Sequence, residues 1–158
     1  MKRYGPLTAV PEALAVGDPG RHHLRLTIDG VIVREGAEHR GIHPWERIER
    51  IRLDVPTTRF RLPGALGTMI LGALTATLLT DPGIDPDDGT IDIRLAEGSQ
   101  TLPLSRHHVG GYWRPTVTGA HRLLDHLVGH AEQRALLRHP ERLIDLAAVL
   151  ARREGSGA

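Results

Sequence analysis

The chain has 158 residues, of which 40% are hydrophobic and 25% charged, with a formal net charge of +1 at pH 7. This length is normal for one hydrophobic core, and so small a charge supplies no global field of the kind a nucleic-acid-binding face needs. The absence of Cys excludes disulfides, thiolate catalysis and Cys-ligated metal centres together.

Residues 1–20 hold three Pro and three Gly without apolar periodicity and read as an extended lead-in, with the fold proper starting near Arg21. Pro11, Glu12 and Asp18 interrupt the apolar stretch behind Lys2 and Arg3, which makes a poor signal peptide, so a cytoplasmic location is expected. Leu24, Leu26 and Ile28 alternate with polar residues, Asp29-Gly30 follows, and Val31 to Glu35 continue, which predicts a hairpin with an Asp-Gly turn. Ile42 to Ile48 leads into a half-buried strand over Ile51 to Val55, ended by Pro56, and Thr58 to Leu62 is a further short strand. Leu62 to Thr80 carries no charge, but three Gly, one Pro and four Thr make it a poor membrane span. Leu66, Met69, Ile70, Ala73, Leu74 and Leu78 recur at helical spacing and predict a buried helix instead.

Asp81 to Gly89 is dense turn chemistry that stops any preceding helix. A second hairpin is expected from Ile91, Ile93 and Leu95, a Glu97-Gly98 turn, then Leu102 and Leu104. After a loop from Arg106 to Pro115, Thr116 or Thr118 can cap a helix with Leu123, Leu124, Leu127 and Val128 on one stripe. Pro140 opens a second helix with Leu143, Leu146, Ala147 and Leu150 on one side, and Arg152 to Ala158 reads as a frayed tail.

Asp29-Gly30-Val31, Ile42, Pro44-Trp45-Glu46 and Ile48, set in a strand, turn, strand order with a later closing helix, resemble the bacterial pleckstrin-homology-like domains. The resemblance covers roughly Arg21 to Val128 and implies a bent antiparallel sheet or partial barrel of six to seven strands. It further implies a closing helix from about Val117 to Val128 and an interaction module without catalytic residues. The expected fold class is therefore α+β. Residues 1–20 are the lead-in, 21–130 the PH-like domain and 131–158 a helical extension and tail.

The candidate binding residues are Arg106, His107, His108, Tyr112, Trp113 and Arg114, because aromatic residues with Arg on a double-Gly loop are what binding hot spots favour. The competing account has Tyr112 and Trp113 sealing the sheet beside the next helix. His126 and His130, and likewise His121 and Asp125, lie four apart on a helix and could share a metal, but Leu127 stands where the zinc-protease motif has Glu. A polar helix face explains them as well. The doublets His22-His23 and His107-His108 send side chains to opposite faces if they lie on strands. An EF-hand frame from Asp85 fails at Thr90 and Ala96, and no nucleophile elbow or phosphate loop is present. All but one of the 20 basic residues are Arg, a bias that GC-rich coding produces alone, so Arg21, Arg25 and Arg34 beside the first hairpin are weak evidence for phosphate binding. Trp45 reads as a core anchor. The resulting expectation is a non-catalytic module for protein interaction or self-association, with no cofactor and no nucleic-acid partner. The alternatives are a metal-dependent or small-molecule enzyme using the His-rich loop and helix, and peripheral membrane association through the uncharged segment.

Overall fold

The computed structural model describes residues 1–59, 89–107 and 110–152, and shows a mixed α+β fold built mainly from antiparallel sheet. The first sheet is a six-stranded meander of β1 (Arg3–Tyr4), β2 (Leu7–Val10), β3 (Ala13–Gly17), β4 (His22–Leu26), β5 (Gly30–Glu35) and β6 (Glu38–Pro44), in that spatial order. A 3₁₀ turn at Trp45–Arg47 leads to β7 (Ile48–Asp54), which pairs with β9 (Gly89–Leu95), and β9 pairs in turn with β10 (Gly98–Leu104). A short parallel pair joins β8 (Thr57–Thr58) to β11 (Tyr112–Trp113). Helix α1 (Arg114–Gly129), a 3₁₀ stretch (Ala131–Arg138) and helix α2 (Pro140–Arg152) follow.

The lead-in expectation is corrected: residues 1–20 contribute three strands, and Leu7, Ala13, Leu14 and Val16 are completely buried. Their periodicity is hidden because Ala9, Ala13 and Ala15 weaken the apolar contrast on which an alternation reading depends. Cross-strand pairing aligns Leu7, Val16, Leu24 and Val33 in one row and Ala9, Leu14, Leu26 and Val31 in the next. Period two turns both rows to one face. Each fully buried aliphatic there contributes about 1.5–3 kcal/mol of transfer free energy. Ile51 opposite Ile93 and Leu53 opposite Ile91 add the second sheet's layer, and Leu123, Leu124 and Leu127 of α1 complete the core.

The first hairpin is present, one residue out of the expected phase: Thr27 N–H donates to Gly30 O at 2.9 Å, so Ile28 and Asp29 form the loop and Gly30 begins β5. Gly30 serves a close approach instead of a turn, since a Cβ there would meet the His43 carbonyl oxygen at 2.6 Å. Strand β6 was not anticipated at all. The second hairpin is present with the same one-residue offset: Leu95 pairs with Gly98, so Ala96 and Glu97 form the turn and Gly98 begins β10.

No closed barrel forms among the described residues. Helix α1 starts earlier than expected, at Arg114, and its cap differs from the Thr cap foreseen: Thr116 Oγ1 donates to the Trp113 carbonyl at 2.7 Å instead of accepting a helix N–H. At the other end Arg134 donates to the carbonyls of Leu127 and Val128, both at 2.9 Å, and lays its guanidinium 4.9 Å from the centre of the Trp45 ring. Trp45, 2% exposed, donates Nε1–H to Thr27 O at 2.8 Å, so one indole ties the first hairpin to the end of α1. It is the core anchor expected. Pro140 opens α2 as foreseen. The helix expected over Leu62 to Thr80, the acidic turns from Asp81 to Asp88 and the tail from residue 153 lie outside the described residues. No described helix is long and apolar enough to cross a membrane.

Candidate binding face

The loop from Arg106 leads inward. Arg106 is 2% exposed and donates to Gly110 O at 3.0 Å. His107 stands between two hydroxyls, with Nε2 2.9 Å from Thr8 Oγ1 and Nδ1 3.0 Å from the Tyr112 hydroxyl. The His107 main-chain N–H donates to the same Tyr112 oxygen at 3.3 Å. Tyr112 is buried, and burial pushes its phenol up to about 12. Thr8 is completely buried. This polar chain joins the first sheet to the strand before α1, and its contacts match the sealing role for Tyr112. Trp113 is half-buried, Arg114 is exposed at the helix start, and His108 lies outside the described residues.

The other histidines are drawn to separate partners. His126 and His130 stack, with ring centres 4.4 Å apart and planes at 29°, and His130 Nδ1 lies 3.0 Å from the His126 carbonyl. Among the described residues no three His, Asp or Glu side chains gather as a metal site. Nε2 of His121 accepts the Leu53 N–H at 2.9 Å, and Arg52 pairs with Asp125 at 2.9 Å. The helical pair at 121 and 125 thus covers the open edge of β7. Of the first doublet, His22 is half-exposed, 3.9 Å from Glu35, while His23 is buried with Nδ1 3.0 Å from Arg21 O, the opposite-face arrangement expected.

A more open arrangement sits on the outer face of β4, β5 and β6. Arg25 opposite Ile32, and Ile32 opposite Ile42, form one cross-strand row. Three consecutive aliphatics, Val31-Ile32-Val33, oblige a two-period strand to turn one of them away from the core. Ile42 is 50% exposed. With Ile28, Arg34 and Arg138, the row lines a hollow of about 350 Å³. Asp29 and Glu12 stand on its rim, and Glu12 and Arg138 are shared with a neighbouring hollow of about 500 Å³ beside the start of α2. Glu12 holds φ at 54° in the β2–β3 turn after Pro11, a position that favours Gly or Asn.

The charges on this face differ from those elsewhere. Arg40 pairs with Glu35 and Glu38 at 2.7 and 2.9 Å, and Arg47, Arg52 and Arg94 pair with Glu97, Asp125 and Glu49. Among the described residues the Arg25 side chain reaches only the Pro11 carbonyl and that of Arg34 only the carbonyls of Gly36 and Ala37. Neither they nor exposed Arg138 form an ion pair with a described carboxylate. Sequence reasoning had Arg25 and Arg34 near the hairpin but discounted them; it missed Ile32, Ile42, Arg138 and Glu12. The Val-Ile-Val run was the available signal. Compared with protein-family models, curated proteins and solved structures, the chain matches none.

Proposed function

We propose that the chain is a non-catalytic binding module that engages a protein partner, or a second copy of itself, through the outer face of β4, β5 and β6. The observation carrying this reading is Ile42, half-exposed beside Ile32 and framed by guanidinium groups that pair with no described carboxylate. Aliphatic surface next to Arg is what interfaces bury, and an isolated apolar residue would need no such explanation. An antiparallel sheet followed by a helix supports the pleckstrin-homology-like reading of Asp29-Gly30 and Pro44-Trp45-Glu46, and the cytoplasm is the proposed location. The Thr8–His107–Tyr112 chain supports a structural role over a catalytic one, because Thr8 and Tyr112 are shut from solvent.

The test is quantitative capture from the native cell extract on immobilised wild-type protein, on Ile42→Asp and on a Val149→Asp control at an exposed helical position. The expected result is a stoichiometric partner retained by wild type and the control and lost by Ile42→Asp, or dimerisation by light scattering with the same pattern. Identical behaviour of all three proteins would sink the proposal.

A further inference from the structure

We infer that this face takes an acidic peptide segment of another protein, with an aliphatic side chain seated on Ile28, Ile32 and Ile42 and flanking carboxylates held by Arg25, Arg34 and Arg138. The inference rests on the proposed binding face and names its occupant. Charge complementarity carries it: three guanidiniums that form no ion pair among the described residues surround an apolar floor, against two rim carboxylates, Glu12 and Asp29. Arg heads already leaning on main-chain carbonyls are partly oriented, and a carboxylate offers them a stronger, charge-assisted acceptor.

The rim also discriminates among anions. A continuous polyanion or an anionic bilayer would lay negative charge on Glu12 and Asp29 as well as on the Arg groups, whereas a peptide supplies main-chain N–H groups to those carboxylates. A second copy docking face to face would place the same cation excess against itself. Pairing along β6 is restricted: the ladder shifts register between Val33 and Arg34, Arg40 is tied to Glu35 and Glu38, and Pro44 has no N–H to offer. The segment therefore lies over the face and not along the edge.

The experiment is selection of a displayed random 12-residue peptide library on the full chain, followed by binding titrations of the enriched peptides. Enriched sequences should combine Asp or Glu with Leu, Ile or Val. Arg138→Glu, a change at an exposed residue whose side chain makes no hydrogen bond among the described residues, should weaken them at least about tenfold, and Ile42→Asp should abolish binding, while circular dichroism stays native for both. Enriched peptides without acidic residues that still depend on Ile42 would overturn the acidic-partner inference and leave the face intact. Enriched peptides indifferent to Ile42 would overturn both. Arg138-dependent binding to vesicles containing phosphatidylserine, or Ile42-dependent dimers, would assign the face to a membrane or a second copy and overturn the peptide.

Discussion

Tyr112 and Glu12 show how single positions carry opposite burdens. The Tyr112 hydroxyl serves His107 twice, so Tyr112→Phe removes both contacts from a buried hydroxyl site and should cost about 1–3 kcal/mol in urea unfolding. Burial raises both phenols above the ordinary Tyr value, that of Tyr112 to about 12. The folded chain therefore retains these protons above pH 10 while the unfolded chain releases them. Stability should fall as pH climbs from about 10 through 12. Absorbance near 295 nm should show neither of the two Tyr ionising at its ordinary value before unfolding. Glu12 is the converse, a residue in left-handed backbone whose side chain makes no hydrogen bond among the described residues. Asn tolerates that conformation, so Glu12→Asn should stabilise by up to about 1 kcal/mol, a rise of about 2–4 °C in Tm by calorimetry. Because it also removes a rim carboxylate, the same variant should bind acidic peptides more tightly.

At the level of elements, contact between helices is set by one missing methyl group. A Cβ on Gly119 would lie 2.5 Å from the Ala147 carbonyl oxygen and 3.1 Å from the Ala151 Cβ, so α2 rests directly on the α1 backbone. Gly119→Ala should push α2 outward at a cost of about 1–3 kcal/mol despite the better helix propensity of Ala. Earlier proteolysis within 140–152 than in wild type would register the displacement. Helices α1 and α2 were legible because Leu123, Leu124, Leu127 and Leu143, Ala147 repeat at helical spacing and Pro140 marks a start. Strands β4, β7, β9 and β10 were legible from alternating Leu and Ile, and β5 from its Val-Ile-Val run after the turn. Strands β2 and β3 were not, because small Ala residues do their packing, and β6 was not, because an edge strand of Glu38-His39-Arg40-Gly41 buries almost nothing. The candidate face was only half legible: its cations stood beside the hairpin in sequence, but Arg138 reaches the hollow from a 3₁₀ stretch more than 90 residues after Ile42.

Across the whole molecule, two histidines couple stability to pH, buried His23 from a sheet and half-buried His121 from helix α1. His23 in β4 is lowered mainly by burial, against the pull of the Arg21 carbonyl and with Arg34, Arg25 and Asp18 nearby. His121 is lowered by burial and then by Arg52, partly offset by its main-chain contact at Leu53 and by Asp125. The neutral ring accepts the Leu53 N–H through Nε2 at 2.9 Å, whereas a protonated Nε2 can only donate to the Leu53 carbonyl at 3.2 Å, so the neutral ring makes the shorter contact between α1 and β7. Both folded values lie below the ordinary His value of about 6.5, so the unfolded chain binds more protons below that pH. Stability contributed by the neutral rings is complete above about 6.5 and is lost as pH falls through the folded values. The Tm should hold steady from pH 8 to 7 and then decline toward pH 5. His121→Gln keeps an amide oxygen able to accept the Leu53 N–H but has nothing to titrate. Its Tm should decline less steeply than wild type over that interval, and an unchanged slope would show that the α1–β7 contact is not what acid loosens.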